Sequence, residues 1–522
     1  MADTTYDVRH TTRASGAPSR AYAWYALFLL SFINLLNYLD RNVIFALFEP
    51  IKGALNISDA QLGWLGSAYV LVFSVAAVPF GVMSDLRSRR AVIAFGVALW
   101  SLFTMLSGMV DNYHQLFICR AAVGIGEAAF GAAAASLVAD YFTDRKRAMA
   151  LGILSAGLVI GGGLGIWLGG KLSQAYGWRT AFMVVGAPGF VCAMLAMRLK
   201  DPTRVLAVVQ VRPYLRELKE RGYSLARQFA PTLVGLLLAS VVSLLLDLRF
   251  GADSRWDIAA FSMIAGAGFA LNIWRWVVQI RAKRIDDTPF GGEMTGAFDE
   301  MLGALHRVLA TPTLMYVFAG GALISFGMNG LVGWAPTFVT RELGMSPADV
   351  SDLLGWPLLI FGVLGTLAGG AMADWLRRWT QAGRILTIAF GMLVGGALAL
   401  FLLLLRDMTL FKIVFAASIF FLTFYNGPIV AAIFDVVPAR IGATVAGVYL
   451  LFTHLAGDAI AFPLVGGLSD RFGIEKAILL LPAVAMAGGV VTLLGGRTVA
   501  RDMGRQDGRD GQDGQAGQVA PA

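Results

Sequence analysis

The chain has 522 residues, of which 57% are hydrophobic and only 15% charged, against roughly 25% charged in an average soluble protein. With 61 glycines and a mean hydropathy of +0.68, it carries more apolar surface than one or two water-facing cores can hide, which argues against a soluble enzyme and makes lipid the expected solvent. The net charge of +8 then belongs to cytoplasmic loops rather than to a nucleic-acid site, and Cys119 and Cys192 supply neither a disulfide framework nor a metal cluster.

Residues 1–20 form a polar tail with Arg9, Arg13 and Arg20, and the apolar run that follows from Trp24 is too long for a signal peptide and lacks a cleavage site. It opens a set of six predicted spans, the others near 61–83, 90–110, 115–139, 148–170 and 179–198. A basic stretch with Pro202, Pro213 and Pro231 interrupts the pattern and holds two further apolar runs, near 229–247 and 257–279. These read as a membrane hairpin; the alternative is a pair of interfacial helices, because Asp247, Arg249, Arg255 and Asp257 crowd their connection. Residues 296–309 read as an amphipathic surface helix with Phe298, Met301, Leu302, Leu305 and Leu309 on one side. Six more spans follow near 312–338, 349–373, 383–405, 410–433, 443–465 and 475–496, and the tail after Arg501 is too polar to fold. The predicted organisation is a cytoplasmic tail (1–20), a six-helix half (21–200), an inserted linker (201–311), a second six-helix half (312–497) and a disordered tail (498–522). The class is all-α and multi-pass, with about fourteen helices.

Arg87, Arg89 and Arg90 follow the second span and Arg145, Lys146 and Arg147 the fourth, while the first and third connectors carry little positive charge beyond Lys52. Both termini are therefore expected in the cytoplasm, with the protein in the inner (plasma) membrane. The chain also repeats itself. Gly81-Val-Met-Ser-Asp85-Leu-Arg87-Ser-Arg89-Arg90 is echoed by Gly370-Ala-Met-Ala-Asp374-Trp-Leu-Arg377-Arg378, and Gly169-Gly170-Lys-Leu-Ser-Gln-Ala-Tyr-Gly177 by Gly466-Gly467-Leu-Ser-Asp470-Arg-Phe-Gly473. Two halves of like topology, with a substrate path between them, follow from this doubling.

The glycine-aspartate-arginine connector resembles the signature of the major facilitator superfamily, and Arg120-Ala-Ala-Val-Gly124-Ile-Gly126 resembles its fourth-span pattern. Narrower likeness comes from Asn37-Tyr38-Leu39-Asp40-Arg41, Trp100-Ser101-Leu-Phe-Thr104, Val123-Gly124-Ile-Gly126-Glu127-Ala128 and His454-Leu455-Ala456-Gly457-Asp458-Ala459 with Pro463 and Ser469-Asp470. These look like the Spinster family, whose members move lysophospholipids and sphingosine phosphate. Some sugar-acid and organic-anion carriers share the Tyr-x-Asp-Arg and Gly-Glu-Ala segments; the His454 to Asp458 segment tips the resemblance towards Spinster. The insert near 201–311 departs from the usual twelve-span plan.

A charge at the centre of a membrane helix costs on the order of 2.5 to 3.5 kcal/mol, so one kept there needs a partner or a wet cavity. On the first span Asn34, Asn37 and Arg41 share a face, with Asp40 beside it. On the fourth, Arg120, Gly124 and Glu127 stack along one side, and counting a rise of about 1.5 Å per residue puts Asp40 level with Arg120 and leaves Glu127 near mid-membrane with only neutral or transient partners. A carboxylate that ionises when its cavity wets suits proton coupling, so Asp40 and Glu127 are the expected proton carriers. Arg41 and Arg120 are the expected anchors of an anionic headgroup, because a guanidinium matches phosphate or carboxylate in bidentate fashion. The competing reading is a static network that only fixes helix packing.

His454 and Asp458, one turn apart, could also hold a proton or simply join two helices, and Asn329, Tyr425 and Asn426 line the path or pack. Asp85 with Arg89 and Arg90, and Asp374 with Arg377 and Arg378, each group after its own glycine (Gly81, Gly370), read as a cytoplasmic latch whose arginines pair across the halves and steady the outward-open state. Glycines 157, 161, 162, 163 and 165 allow close helix approach; without a preceding strand or a following Gly-Lys-Ser/Thr they are no nucleotide loop. The expectation is a monomeric, proton-coupled carrier of amphiphilic anionic lipids by alternating access, without cofactor, metal or nucleic-acid partner and in contact with membrane lipids. A carrier of small organic anions or sugar acids is the nearer rival, and a membrane enzyme or sensor the more distant one, since four histidines and two cysteines give little to build a catalytic site from.

Overall fold

A computed structural model of the chain describes residues 19–86, 88–142, 144–201, 304–305 and 307–505, with scattered positions between 230 and 278. Among the described residues twelve helices are long and apolar enough to cross a bilayer. The first six spans are Arg20–Ala46, Asp59–Leu86, Arg89–Ser107, Tyr113–Tyr141, Asp144–Tyr176 and Trp178–Met197. The seventh to ninth are Pro312–Leu343, Pro347–Arg377 and Gly383–Leu404. The tenth is broken by a 3-10 turn, Thr423–Tyr425, between Met408–Leu422 and Asn426–Asp435. The eleventh is broken by a π-turn, His454–Asp458, between Ala439–Thr453 and Ala459–Phe472, and Leu480–Gly495 completes the set. Odd spans run from the near face, where the first begins, to the far face, and even spans return.

Glycines set the closest helix contacts. A Cβ on Gly161 or Gly165 of the fifth span would fall 2.5 Å from the carbonyl oxygen of Leu35 or Leu39 on the first, so only a hydrogen at those positions lets the two backbones touch. Between the halves, a Cβ on Gly63 would sit 2.3 Å from the Phe462 carbonyl oxygen, and one on Gly163 would sit 2.9 Å from that of Gly355.

The cores reveal the conformation. One apolar cluster is private to the near part of the first half (Leu30, Ile93, Val138), a second to the near part of the second half (Val317, Ile388, Ile433). A third, at the far face, draws on both halves, with Phe45, Phe48, Trp334, Phe338 and Phe462 fused in it. The halves are therefore joined at the far face while each keeps its own core at the near face.

Residues 204–296 belong to a separate compact unit. Its described positions at 230–245 and 260–278 are helical, in line with the two inserted helices expected there. A Cβ on Gly235 would lie 2.9 Å from the Gly268 Cα, so the pair cross at glycines, while Leu238, Leu245, Met263 and Trp274 stay exposed.

Two expectations need correction. In the surface helix before the seventh span, Ala304 and Val308 are buried while Leu309 is exposed; small residues let that side press on the second half's core, and Phe298, Met301 and Leu302 lie outside the described residues. The tail is helical as far as Arg505, because Asp502 is buried and accepts bonds from the Thr313 amide (3.0 Å) and hydroxyl (2.7 Å) at the start of the seventh span. Residues 1–18 and 506–522 lie outside the described residues.

Candidate functional site

The polar residues of the first half meet around the middle of the first and fourth spans. Arg120 donates to Asp40 at 3.3 Å, as the depth count predicts, and Thr104 donates to the other Asp40 oxygen at 2.7 Å. Arg120 is fully buried, with its guanidinium 5.7 Å from the Phe182 ring. It braces Asp40 and is not open to a substrate here, so the expectation of two headgroup anchors narrows to Arg41.

Glu127 has a charged partner, contrary to expectation. Arg41 Nε donates to Glu127 Oε2 at 2.5 Å, and the Glu127 side chain is sealed while that of Arg41 remains 10% exposed. The depth count missed this pair because it placed Cα atoms, whereas an arginine's long stem carries its head well away from its own turn. Three rings surround the guanidinium: Phe73 at 4.7 Å, Tyr38 at 4.8 Å and Tyr69 at 5.7 Å. Asn34 donates to the Leu154 carbonyl of the fifth span at 2.8 Å, a packing bond. Asn37 is buried with its Nδ2 unpaired, as are Glu127 Oε1 and Arg120 Nε, which leaves polar capacity in the centre of this network.

The second half holds a smaller counterpart. His454 Nδ1 and Asp458 Oδ2 lie 2.6 Å apart across the π-turn, and the other Asp458 oxygen accepts from Ser325 and, at 2.9 Å, from Asn329. π-turns recur at functional sites because they break the regular ladder and re-aim side chains. His454 faces the Phe73 ring of the first half edge-on at 6.1 Å, so the two polar centres meet on one aromatic side chain. Tyr425 is half-buried on the 3-10 turn, while Asn426 donates to Thr366 of the eighth span at 3.0 Å and so packs within its half. Between the seventh, eighth, ninth and tenth spans lies a small apolar cavity, lined among others by Leu331, Ala335, Leu358, Phe411, Phe415 and Ile419. Its inner end is formed by Met328 and Thr423, at the depth of Asn329 and Tyr425.

At the near face the repeated connectors pair within their own halves, not across them as expected. Arg89 bonds Asp140, and Arg377 and Arg384 both bond Asp435. Arg90 donates to the Leu199 carbonyl at 3.3 Å. Asp374 and Arg378 are exposed, and a Cβ on Gly370 would meet nothing within 4 Å. Gly81 and Asp85 lie on the last turns of the second span, with their contacts outside the described set. With the near face apart, a cross-half partner is out of reach, and a local carboxylate substitutes.

The far face carries a charge network that sequence reasoning did not single out. Arg341 of the seventh span grips Asp59 with two nitrogens at 2.7 Å each and Glu49 at 2.9 Å. Lys52 and Ser469 each reach Asp59 at 2.6 Å, and Lys171 reaches Asp352 at 2.6 Å. Each of these residues looks alone in the sequence, because the partners are more than a hundred residues apart or sit at span ends where a solvated charge is ordinary. Among the described residues no cluster of histidine, cysteine, aspartate and glutamate is placed to hold a metal.

Two halves in tandem, a central polar pair and a closed far face are the layout of a membrane transporter. The family model described as Major Facilitator Superfamily matches residues 30–214 and 206–457, and the chain belongs to that superfamily. Among known proteins, an MFS-type efflux pump of Mycolicibacterium smegmatis is 28% identical over 514 residues, covering 96% of this chain and 97% of its own. The Sphingosine-1-phosphate transporter SPNS2 of Xenopus tropicalis is 26% identical over 533 residues, covering 94% of this chain and 86% of its own. A bacterial homolog of the human lysosomal transporter Spinster, solved in an inward-facing and unoccupied conformation, shares the fold with a TM-score of 0.69 at 20% identity, over 93% of this chain and 99% of that one. Within the superfamily the chain is similar to Spinster proteins, at 25% and 26% identity to two of them.

Proposed function

We propose that the protein is a proton-coupled secondary transporter of amphiphilic anionic lipids, of lysophospholipid or sphingolipid type, working by alternating access. One juxtaposition carries the reading: a guanidinium at the edge of the first half's polar centre, and a cavity in the second half lined almost wholly by apolar side chains and reaching the same depth. An anionic head finds Arg41 and a hydrocarbon chain finds Leu331, Phe415 and their neighbours, whereas a small hydrophilic anion gains nothing from the apolar wall. The likeness to a sphingosine-1-phosphate transporter supports the same substrate class.

Coupling follows from charge balance. Arg41 lies in a mostly buried site and has one counter-ion at a time. While Glu127 is ionised it takes that place; once Glu127 binds a proton, the guanidinium is free for the headgroup, so proton and anion load together. Asp40, held by Arg120 and Thr104, fixes the first span so that Arg41 keeps its reach. His454 with Asp458 gives a second resting place for a proton beside the π-turn. Asn37, Asn329 and Tyr425 flank the path. When the near face closes, Arg89, Arg90 and Arg377 exchange their local partners for the opposite half and the exposed Arg378 joins them, with Gly81, Asp85, Gly370 and Asp374 shaping the two turns. The arginine-rich near face is the cytoplasmic one, both termini lie there, the inserted pair crosses the inner membrane as a hairpin, and the protein works as a monomer.

The test is a ligand panel on purified protein followed by transport in proteoliposomes. Lysophosphatidylglycerol and sphingosine phosphate are expected to stabilise the protein to heat and to move only when a pH gradient is imposed. Stabilisation by hexuronates but not by lysolipids would replace the lipid reading with a carrier of small organic anions, and chemical conversion of the lipid would replace it with an enzyme.

A further inference from the structure

The duplicated segment at the ends of the fifth and eleventh spans has no place in the scheme so far. Aligned on the terminal glycines Gly177 and Gly473, both in the left-handed region (φ 85° and 83°), Gln174 matches Asp470 and Gly170 matches Gly466. In each copy the matched pair touches the start of a helix in the opposite half. A Cβ on Gly466 would fall 2.2 Å from the Asp59 carbonyl oxygen, and one on Gly170 would fall 2.4 Å from that of Pro347; these are the first residues of the second and eighth spans. The glycines thus allow backbone contact at two of the points where the halves meet on the far face.

The polar member of each copy completes a helix cap. The second span begins Ser58-Asp59-Ala60-Gln61 and the eighth Ser346-Pro347-Ala348-Asp349. In both, the leading serine accepts from the amide three residues on, at 3.2 Å from Gln61 and 3.3 Å from Asp349. That leaves the first two amides of the helix without a local acceptor. In the second span there are two such N–H groups, and the Asp470 carboxylate takes both, Asp59 at 2.9 Å and Ala60 at 2.8 Å. In the eighth span the first position is a proline with no N–H, and the single oxygen of Gln174 takes the one remaining amide, Ala348, at 2.8 Å. The number of acceptors supplied by each half equals the number of donors left open in the other.

We propose that Asp470 and Gln174 are the far-face gate residues of this transporter, a pair of reciprocal helix caps exchanged between the halves, with Asp470 the stronger arm. The assignment rests on the alternating-access reading above. Asp470 holds two amides with a charge placed against a helix N-terminus, while Gln174 holds one with a neutral oxygen. When the far face opens both caps are lost to water, so the open state becomes easier to reach for every acceptor removed.

Spin labels on cysteines at Ala54 and Lys476, exposed far-face positions in opposite halves, report the gate by pulsed electron resonance; Cys119 and Cys192 are buried and stay unlabelled. Asp470→Ala is expected to raise the ratio of far-open to far-closed molecules about tenfold, and Gln174→Ala about threefold, the range that loss of a charged and a neutral cap corresponds to. A control pair at Ala54 and Asp111, both in the first half, should not move. Because Asp470→Ala removes a charge, Ala60→Pro serves as the second variant: it deletes one of the two donors, suits the first turn of a helix, and should give a smaller shift in the same direction. In an Ala348→Pro background Gln174→Ala should have no further effect. If a far-open population exists but Asp470→Ala and Ala60→Pro leave it within twofold of wild type, the cap assignment is wrong and alternating access stands. If no far-open population forms under any lipid or pH condition, both readings fail.

Discussion

Replacing Glu127 by glutamine tests the central pair most directly. The substitution keeps an oxygen for Arg41 Nε, now at 2.5 Å from a carboxylate, but removes the charge opposite a guanidinium that is only 10% exposed. Stripping one partner from a buried pair costs about 3 to 5 kcal/mol. The retained hydrogen bond and the Phe73, Tyr38 and Tyr69 rings within 5.7 Å of the guanidinium offset part of it. A loss of about 2 kcal/mol is therefore expected. Arg41→Met should destabilise less than Glu127→Gln, since a stranded carboxylate can neutralise itself by binding a proton and a stranded guanidinium cannot lose one. In proteoliposomes Glu127→Gln should bind lysolipid at least as tightly as wild type, because no carboxylate competes with the headgroup for Arg41, yet transport should no longer respond to an imposed pH gradient. Unchanged gradient dependence, with thermal unfolding showing an intact fold, would remove Glu127 from the coupling step.

Asp40→Asn strands Arg120, which is fully buried, and should lower unfolding stability in detergent by about 3 kcal/mol; a change under 1 kcal/mol would mean that Arg120 has another anion within reach. Ala335→Phe places a ring in the apolar cavity and should abolish lysolipid binding by isothermal titration while the melting temperature holds or rises; retained binding would move the acyl site elsewhere. Asp502→Ala removes the acceptor of the Thr313 amide and should cost about 1 kcal/mol in thermal unfolding with transport intact, as expected for a lost helix cap.

The spans were legible because each is a run of apolar side chains long enough for the bilayer, and the halves because two pairs of segments repeat. Asp40 with Arg120 was legible as well, since opposed helices put equal depths together at a fixed rise per residue. Glu127 with Arg41 was not: it depends on the reach of a flexible stem, which a count of backbone positions does not carry. Asp140 and Asp435 were overlooked for a different reason. Each is a single aspartate near a span end, and its value lies in the absence of a cross-half partner for the nearby arginines, a property of one conformation and not of the chain. The buried side of the helix before the seventh span is not legible from its large apolar residues, because Ala304 and Val308 are the ones that fit against the second half.

The π-turn at His454–Asp458 also sets the phase of everything beyond it on the eleventh span. A wide turn holds one residue more than its α-helical equivalent, so the outer segment is rotated by about 100° relative to an unbroken helix. Phe462, Gly466, Ser469 and Asp470 all meet the second span in that rotated frame. Deleting Ala456 would straighten the rod and swing the four contacts away together, although none of them lies near the deletion. Insertions and deletions in these five residues should therefore be far less tolerated than substitutions, a pattern that deep mutational scanning with single-codon deletions can read.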